Sequence, residues 1–209
     1  MNWTKVGNIS DWSLNQILKD RNGELWCVGT HGNIARWDDN IFGWGGSIQE
    51  NDRIRLQMQI KMIAFDVNNN MRCVDVLNKE WKWEATEWVA HDDSSNWELA
   101  MIAYNSAGDK WCVGGLNNVG KWNEDNKIWE SQGFLGEWKL KWLYFDPSDN
   151  TKAFCINTGG HVGVYDFTLN VMTPKLWNWE LKMITSVDDK FLWCVTVNPD
   201  VGIRSMIED

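Results

Sequence analysis

Few residues of the types that perform chemistry stand close together in this 209-residue sequence. The three histidines are His31, His91 and His161, and none has a cysteine or carboxylate at the spacing of a metal-ligand motif. The sequence therefore predicts no metal site and no cofactor.

Two further patterns resemble catalytic or phosphate-binding motifs. The acid pairs Asp38-Asp39, Asp92-Asp93 and Asp188-Asp189 suggest glycoside hydrolysis, which uses two opposed carboxylates about 5 to 9 Å apart. Adjacent residues on a turn seldom face each other, and the loops here are short. The glycine run at 158–163 precedes no helix whose amides could bind phosphate, so we interpret it as a turn. We expect no enzymatic activity.

The elements that carry these residues repeat along the chain. Five cysteines each stand in a related local sequence, and each follows an opening residue by 15 positions, or by 17 in the fourth unit. The opening residues are Trp12, Met58, Trp97, Trp138 and Trp179, and the cysteines are Cys27, Cys73, Cys112, Cys155 and Cys194. Such a repeat, 39 to 46 residues long, indicates stacked supersecondary units.

The first four units each contain four short β-rich stretches separated by turns of Gly, Asn and Asp. In the first unit they are Trp12 to Leu18, Glu24 to Gly29, Asn33 to Trp37 and Ile41 to Trp44. This pattern is typical of a propeller blade. We predict an all-β fold, a five-bladed β-propeller of four-stranded antiparallel blades, as a single domain over residues 1–209. The predicted blades are 12–46, 58–90, 97–131, 138–174, and 179–209 together with 1–9.

The last unit has room for only three strands, whereas the first residues of the chain match a fourth-strand slot. Nine residues separate Trp3 from Trp12, as nine separate Trp129 from Trp138. We therefore expect the N-terminal strand to complete the last blade and close the ring. The second unit departs from the pattern, because it has Met58 as its opening residue and Trp81 where other units have Gly or Ala.

Composition limits the partners and the compartment. A formal charge of -9 disfavours nucleic-acid binding, which needs clustered Lys and Arg. No apolar run is long enough for a membrane helix, and the first residues do not resemble a signal peptide. We expect no membrane insertion, and a cytoplasmic location or release without a signal peptide. Equivalent cysteines on neighbouring blades are too far apart to pair, so all five are expected to be reduced.

Two stretches resemble known repeats. The run W-K-L-K-W-L-Y-F-D-P-S-D-N from Trp138 resembles the tachylectin-2 type of five-bladed lectin, and G-E-L-W-C-V-G-T-H-G-N-I-A-R-W from Gly23 is similar to the tectonin repeat. The resemblance implies a β-propeller lectin that binds N-acetylated or methylated saccharides, without catalysis, near the loops between blades. The linkers lack the Asp-Asn-Trp and Ala-Arg-Ala of the tachylectin-2 type, so no family binding residue is carried over.

A saccharide site needs a flat aromatic platform beside fixed polar groups. The linkers entering first strands and the turns joining second to third strands should lie at one end of the ring. That end would collect the predicted saccharide-binding residues Trp12, Asn33, Trp97, Asn118, Trp138, His161, Trp179 and Asn198. We predict a multivalent lectin for saccharides or glycoconjugates. The alternative is a scaffold for protein-protein interaction, for which the long linker 45–57 offers a place. The oligomeric state stays open.

Overall fold

The structure is a computed structural model, and it describes residues 4–7, 13–38, 43–45, 58–91, 97–133, 138–146, 149–175, 179–188, 191–198 and 201–205. Trp12 and linker residues 46–57 lie outside these ranges, as do Asp39, Asp92, Asp93 and Asp189 of the acid pairs. No helix in the described part of the chain is long and apolar enough to cross a membrane.

In these described ranges, twenty strands form five antiparallel sheets of four. Blade 1 contains β2 (Leu14–Lys19), β3 (Leu25–Gly29), β4 (Ile34–Asp38) and β5 (Gly43–Gly45). Blade 2 contains β6 (Ile60–Phe65), β7 (Met71–Asp75), β8 (Glu80–Glu84) and β9 (Glu87–Ala90). Blade 3 contains β10 (Leu99–Tyr104), β11 (Lys110–Gly114), β12 (Val119–Asn123) and β13 (Ile128–Ser131). Blade 4 contains β14 (Leu140–Asp146), β15 (Asp149–Asn157), β16 (Val162–Asp166) and β17 (Val171–Lys175).

Blade 5 joins the two ends of the chain. Its strands are β18 (Leu181–Asp188), β19 (Phe191–Thr196), β20 (Val201–Ser205) and β1 (Thr4–Gly7). Strand β1 is antiparallel to β20, with Thr4 opposite Ile203 and Lys5 opposite Gly202. The prediction that the N-terminal strand completes the last blade is confirmed, and with it the five-bladed propeller. This pairing provides hydrogen-bond partners for the backbone groups on the outer edge of β20, which would otherwise be unpaired.

The first strand of every blade lies innermost, and these five strands contact one another in sequence around the ring. Their central residues are Ile17, Ile63, Ile102, Leu143 and Ile184, all of them buried. Short turns set the register of the blades. In the turn between first and second strands of blade 1, the carboxylate of Asp20 accepts hydrogen bonds from the backbone N–H groups of Asn22 and Glu24, both at 2.9 Å. Such Asx turns fix the hairpin locally.

The turns between second and third strands are also alike. Gly32, Asn78, Asn117 and Gly160 occupy the same slot, each with a positive φ between 64° and 83°. These turns rest on the linker that enters the first strand. Thr30 N donates to Ser13 O at 2.8 Å, and Thr158 N donates to Lys139 O at 2.8 Å. The second-to-third-strand turns and the entry linkers therefore lie at one end of the ring, which we call the entry end.

The five cysteines lie on the second strands as free, fully buried thiols. Burial raises the pKa of Cys27 to about 12 and that of Cys194 to about 12, because a thiolate would lose its hydration. We expect no thiol to react with a disulfide reagent in the folded protein near pH 8. All five should react after denaturation without reductant; fewer would show that some are paired.

The same pKa shifts predict how stability depends on pH. Unfolded thiols ionise near their ordinary value of 9.0, whereas the buried thiols hold their protons to higher pH. Above pH 9 the unfolded state therefore binds fewer protons than the folded state, and the free energy of unfolding falls as pH rises. Substituting Cys27 by Ala should reduce this fall, which denaturant titrations at pH 8 and pH 10.5 would measure.

Candidate functional site at the end of the axis

The five inner strands meet around the axis of the ring. The side chains Gln16, Met62, Met101 and Met183 are buried there, and half-buried Trp142 lies among them. Two of these side chains join adjacent blades. Gln16 Nε2 donates to Ile63 O at 2.8 Å and its Oε1 accepts from Ile63 N at 2.8 Å, while Trp142 Nε1 donates to Ile184 O at 2.8 Å. Together these five side chains fill the middle of the axis.

A cavity of about 360 Å³ opens on one side of this filling, where the inner strands run into their hairpin turns. We call this the hairpin end, and it lies opposite the entry end. Every blade contributes to the wall, with Asp20, Phe65, Asn105, Asp146 and Ser186 among the lining residues. A cavity of this size falls at the lower end of the range for ligand sites.

The cavity wall combines apolar and polar side chains. Leu18, Ala64 and Ala103 supply apolar surface, while Ser106 and Thr185 supply hydroxyl groups. This mixture suits a ligand that has both apolar and hydrogen-bonding parts.

The rim of the cavity carries charges of both signs. Lys19 and Arg21 line it together with Asp20 and Asp146. Arg21 is directed towards blade 2, because its Nε donates to Asp66 O at 3.1 Å and its backbone N donates to Asn69 Oδ1 at 2.8 Å. The hairpin turns of blades 1 and 2 are thus bonded to each other at the mouth of the cavity.

Tyr104 forms part of the same wall. Burial of its hydroxyl raises the pKa of Tyr104 well above the ordinary value, and the nearby Glu80 carboxylate adds to the shift. The hydroxyl has no hydrogen-bond partner among the described residues. Sequence comparison of the repeats did not identify this residue, although its slot at the end of the first strand holds Lys19 in blade 1 and Phe65 in blade 2. In the sequence, this change of residue type from unit to unit is what distinguishes the Tyr104 slot from the slots that repeat for packing.

The predicted platform tryptophans pack against their own blades. A Cβ atom built on Gly120 would lie 3.1 Å from Trp97 Cη2, and one built on Gly163 would lie 2.9 Å from Trp138 Cη2. Trp179 covers Gly202 in the same manner. Each of these indoles is half-buried. The glycine on the third strand therefore makes room for the ring, which gives these tryptophans a packing role. Trp12 lies outside the described residues.

The predicted polar partners of these tryptophans lie in turns at the entry end. The backbone carbonyls of Asn33, Asn118 and His161 close their turns by accepting hydrogen bonds at 2.8, 2.9 and 3.0 Å. Asn198 O accepts a hydrogen bond from the Thr196 hydroxyl. The entry end thus holds all seven predicted residues that the structure describes. Their saccharide-binding role stays a prediction, and the cavity lies at the other end.

No protein-family model and no curated protein matches the chain. Solved structures of other proteins do match it. The YCF48 structure, bound to a D1 peptide, has a TM-score of 0.60 at 15% identity, over 88% of this chain and 62% of that one. A Bacteroides thetaiotaomicron protein of unknown function has a TM-score of 0.66 at 8% identity, over 93% and 60%. The chain thus spans about three-fifths of the length of both structures.

A third structure matches over its whole length. The β-propeller domain of Myceliophteria thermophila Cps50 (Swd1) has a TM-score of 0.60 at 7% identity, over 98% of this chain and 99% of that one. At such low identities these likenesses show the fold, and the resemblance to tectonin and tachylectin-2 repeats stays a prediction.

Proposed function

We propose that this propeller is a non-catalytic scaffold that binds a segment of a partner protein at the hairpin end of its axis. The observation that carries the proposal is the cavity of about 360 Å³ to which all five blades contribute. A site built by every blade is specific to the closed ring, because no single blade forms it.

The chemistry of the wall and rim favours a peptide segment as the ligand. A peptide presents backbone donors and acceptors together with side chains of mixed polarity, and the wall offers hydroxyl, amide and apolar groups within one mouth. Charges of both signs on the rim suit a polar segment better than a uniformly charged one. The cavity has room for one or two inserted side chains, with the rest of the segment lying across the hairpin turns. The peptide-bound YCF48 structure supports this class of ligand for the fold.

Saccharide binding at the entry end is the second candidate. It is favoured by the recurrence of half-buried Trp97, Trp138 and Trp179 in one geometry, each beside a turn with Asn or His. Its sites would be separate from the cavity, so the two candidates predict different surfaces and different ligands.

Two binding screens distinguish the peptide-binding candidate from the saccharide-binding candidate. The folded protein is panned against a displayed random-peptide library and is applied to a glycan array. We expect recovered peptides to bind wild type and to lose about tenfold or more in affinity for Ser106→Trp, whose exposed side chain would fill the mouth of the cavity.

Ser131→Trp is the matched control, because Ser131 is exposed on the outer strand β13, away from the cavity. Both variants should keep the wild-type melting temperature to within a few degrees. Glycan binding without peptide binding would favour the saccharide-binding candidate over the peptide-binding one. Peptides that bind Ser106→Trp as tightly as wild type would exclude the cavity as the peptide-binding site.

A further inference from the structure

Each inner strand contains a β-bulge at the same position near the entry end. The ladder register shifts between Leu14 and Gln16 in β2, and it shifts at the equivalent step in β6, β10, β14 and β18. A bulge leaves one extra residue outside the regular alternation and re-aims its side chain. The extra residues are Asn15, Lys61, Ala100, Lys141 and Lys182.

The five bulge residues thus form a ring at the entry end of the axis, and three of them are lysines. Contacts link this ring across blades: Lys182 Nζ donates to Asn15 Oδ1, and the inner strands of blades 5 and 1 are in contact. Lys61 Nζ donates to Asn78 Oδ1 at 3.1 Å. Lys141 has no hydrogen bond to any residue within the described ranges.

The environment of the three lysines disfavours their positive charge. Burial lowers the pKa of Lys61, Lys141 and Lys182, and repulsion from Lys182 lowers that of Lys141 further. Asp75 offsets part of the effect at Lys61, and Glu180 offsets part of it at Lys141. Holding Lys141 and Lys182 near each other in partly dehydrated positions is unfavourable in the empty protein, because their positive charges repel each other. An anion in the ring would relieve this repulsion.

We propose that Lys141 and Lys182, at the bulges of two adjacent inner strands, form an anion-binding site at the entry end of the axis, which takes a phosphate or carboxylate group. Ammonium groups arranged around one axis can each donate a charge-assisted hydrogen bond to a single oxyanion. The anion can belong to a free phosphate compound or to an acidic side chain of a protein. The site lies at the opposite end from the cavity and does not depend on the proposed peptide-binding function.

Calorimetric titration at constant ionic strength tests the site. Pyrophosphate and hexaglutamate serve as the two probes, because one is a free phosphate compound and the other presents protein-like carboxylates. We expect saturable binding at one anion per chain. Lys141→Gln and Lys182→Gln should each weaken it by about tenfold or more, since each removes a charge-assisted bond.

The control is Lys175→Gln, which removes the same charge from β17, the outer strand of blade 4, and should leave affinity unchanged. In anion-free buffer Lys141→Gln should also melt no lower than wild type, because it relieves repulsion. Preference for pyrophosphate would identify a phosphate ligand, and preference for hexaglutamate an acidic protein segment. Absence of saturable binding by both probes, or equal weakening by Lys175→Gln, would overturn the proposal.

Discussion

Replacing Lys110 by Leu is expected to lower the free energy of unfolding by about 3–5 kcal/mol, because it leaves a buried carboxylate without its main partner. Lys110 Nζ lies 2.6 Å from Glu80 Oε2, and the Glu80 side chain is 0% exposed. Arg72 is the second partner, at 3.3 Å from Glu80 Oε1. Lys110 Nζ also lies 4.8 Å from the centroid of the Trp122 ring. Denaturant titration of wild type and variant measures the loss.

The repeat pattern predicts how this loss can be reversed. Glu80 occupies the slot that holds Ile34 in blade 1 and Val119 in blade 3, and Lys110 occupies that of Leu25. The ion pair therefore replaces two apolar residues on facing sides of blades 2 and 3. The double variant Glu80→Val/Lys110→Leu should regain most of the stability or exceed wild type, because apolar pairs often match buried ion pairs.

A surface pair supplies the control for these variants. Lys82 and Glu84 form an ion pair 2.9 Å apart with side chains 35% and 50% exposed, so Lys82→Leu should leave the free energy of unfolding close to that of wild type. If Lys110→Leu were equally mild, the Glu80 charge would not depend on Lys110. If the double variant were the least stable of the set, the comparison of repeat slots would be wrong.

Moving a blade 2 arrangement into blade 3 is expected to show an equally large effect. In blade 3 the Trp97 ring lies over Gly120, where an added Cβ would be 3.1 Å from Cη2. In blade 2 the opening residue is Met58 and the glycine slot holds Trp81, whose Nε1 donates to Asp75 Oδ2 at 2.9 Å. We infer that one indole fills this space from either strand.

Gly120→Trp alone should therefore destabilise the fold by about 3 kcal/mol or more, because two indoles compete for one space. Adding Trp97→Met should restore about 0.5–3 kcal/mol of that loss, the size of coupling seen between residues in contact. Combining Gly120→Trp with Trp138→Met provides the control, since Trp138 belongs to blade 4. Recovery in the control, or none in the matched pair, would contradict the inferred exchange.

The blades could be predicted from the sequence because every unit repeats the same turns and strands. The spacing of Cys27 from its opening residue and the glycine or asparagine of each turn recur at fixed positions, and they specify strand number and order without tertiary information. Ring closure followed from the same comparison, since the first strand matched a fourth-strand slot. The departure of blade 2 at Glu80 was also visible as a break in the pattern.

The cavity and the ring of bulge residues could not be predicted in this way. Each bulge interrupts the alternation of an inner strand, so the side chains that face the axis cannot be assigned by a period of two. Lys141 and Trp142 illustrate this, because regular alternation would place them on opposite faces of β14. The cavity depends on how five strand ends approach one another across units, which no single repeat encodes. The recurring tryptophan slots predicted binding sites at the entry end, where the rings of Trp97, Trp138 and Trp179 pack against glycine.

The most direct test of the proposed function is the indole ¹H–¹⁵N spectrum of the protein during titration with a selected peptide. Among the 17 tryptophans, Trp142 lines the cavity, and its Nε1–H donates to Ile184 O at 2.8 Å. Binding at the hairpin end predicts a shift of the Trp142 signal while those of Trp97, Trp138 and Trp179 stay in place. A titration that shifts the signals of those three and leaves Trp142 unchanged would contradict binding at the cavity and would place the ligand at the entry end.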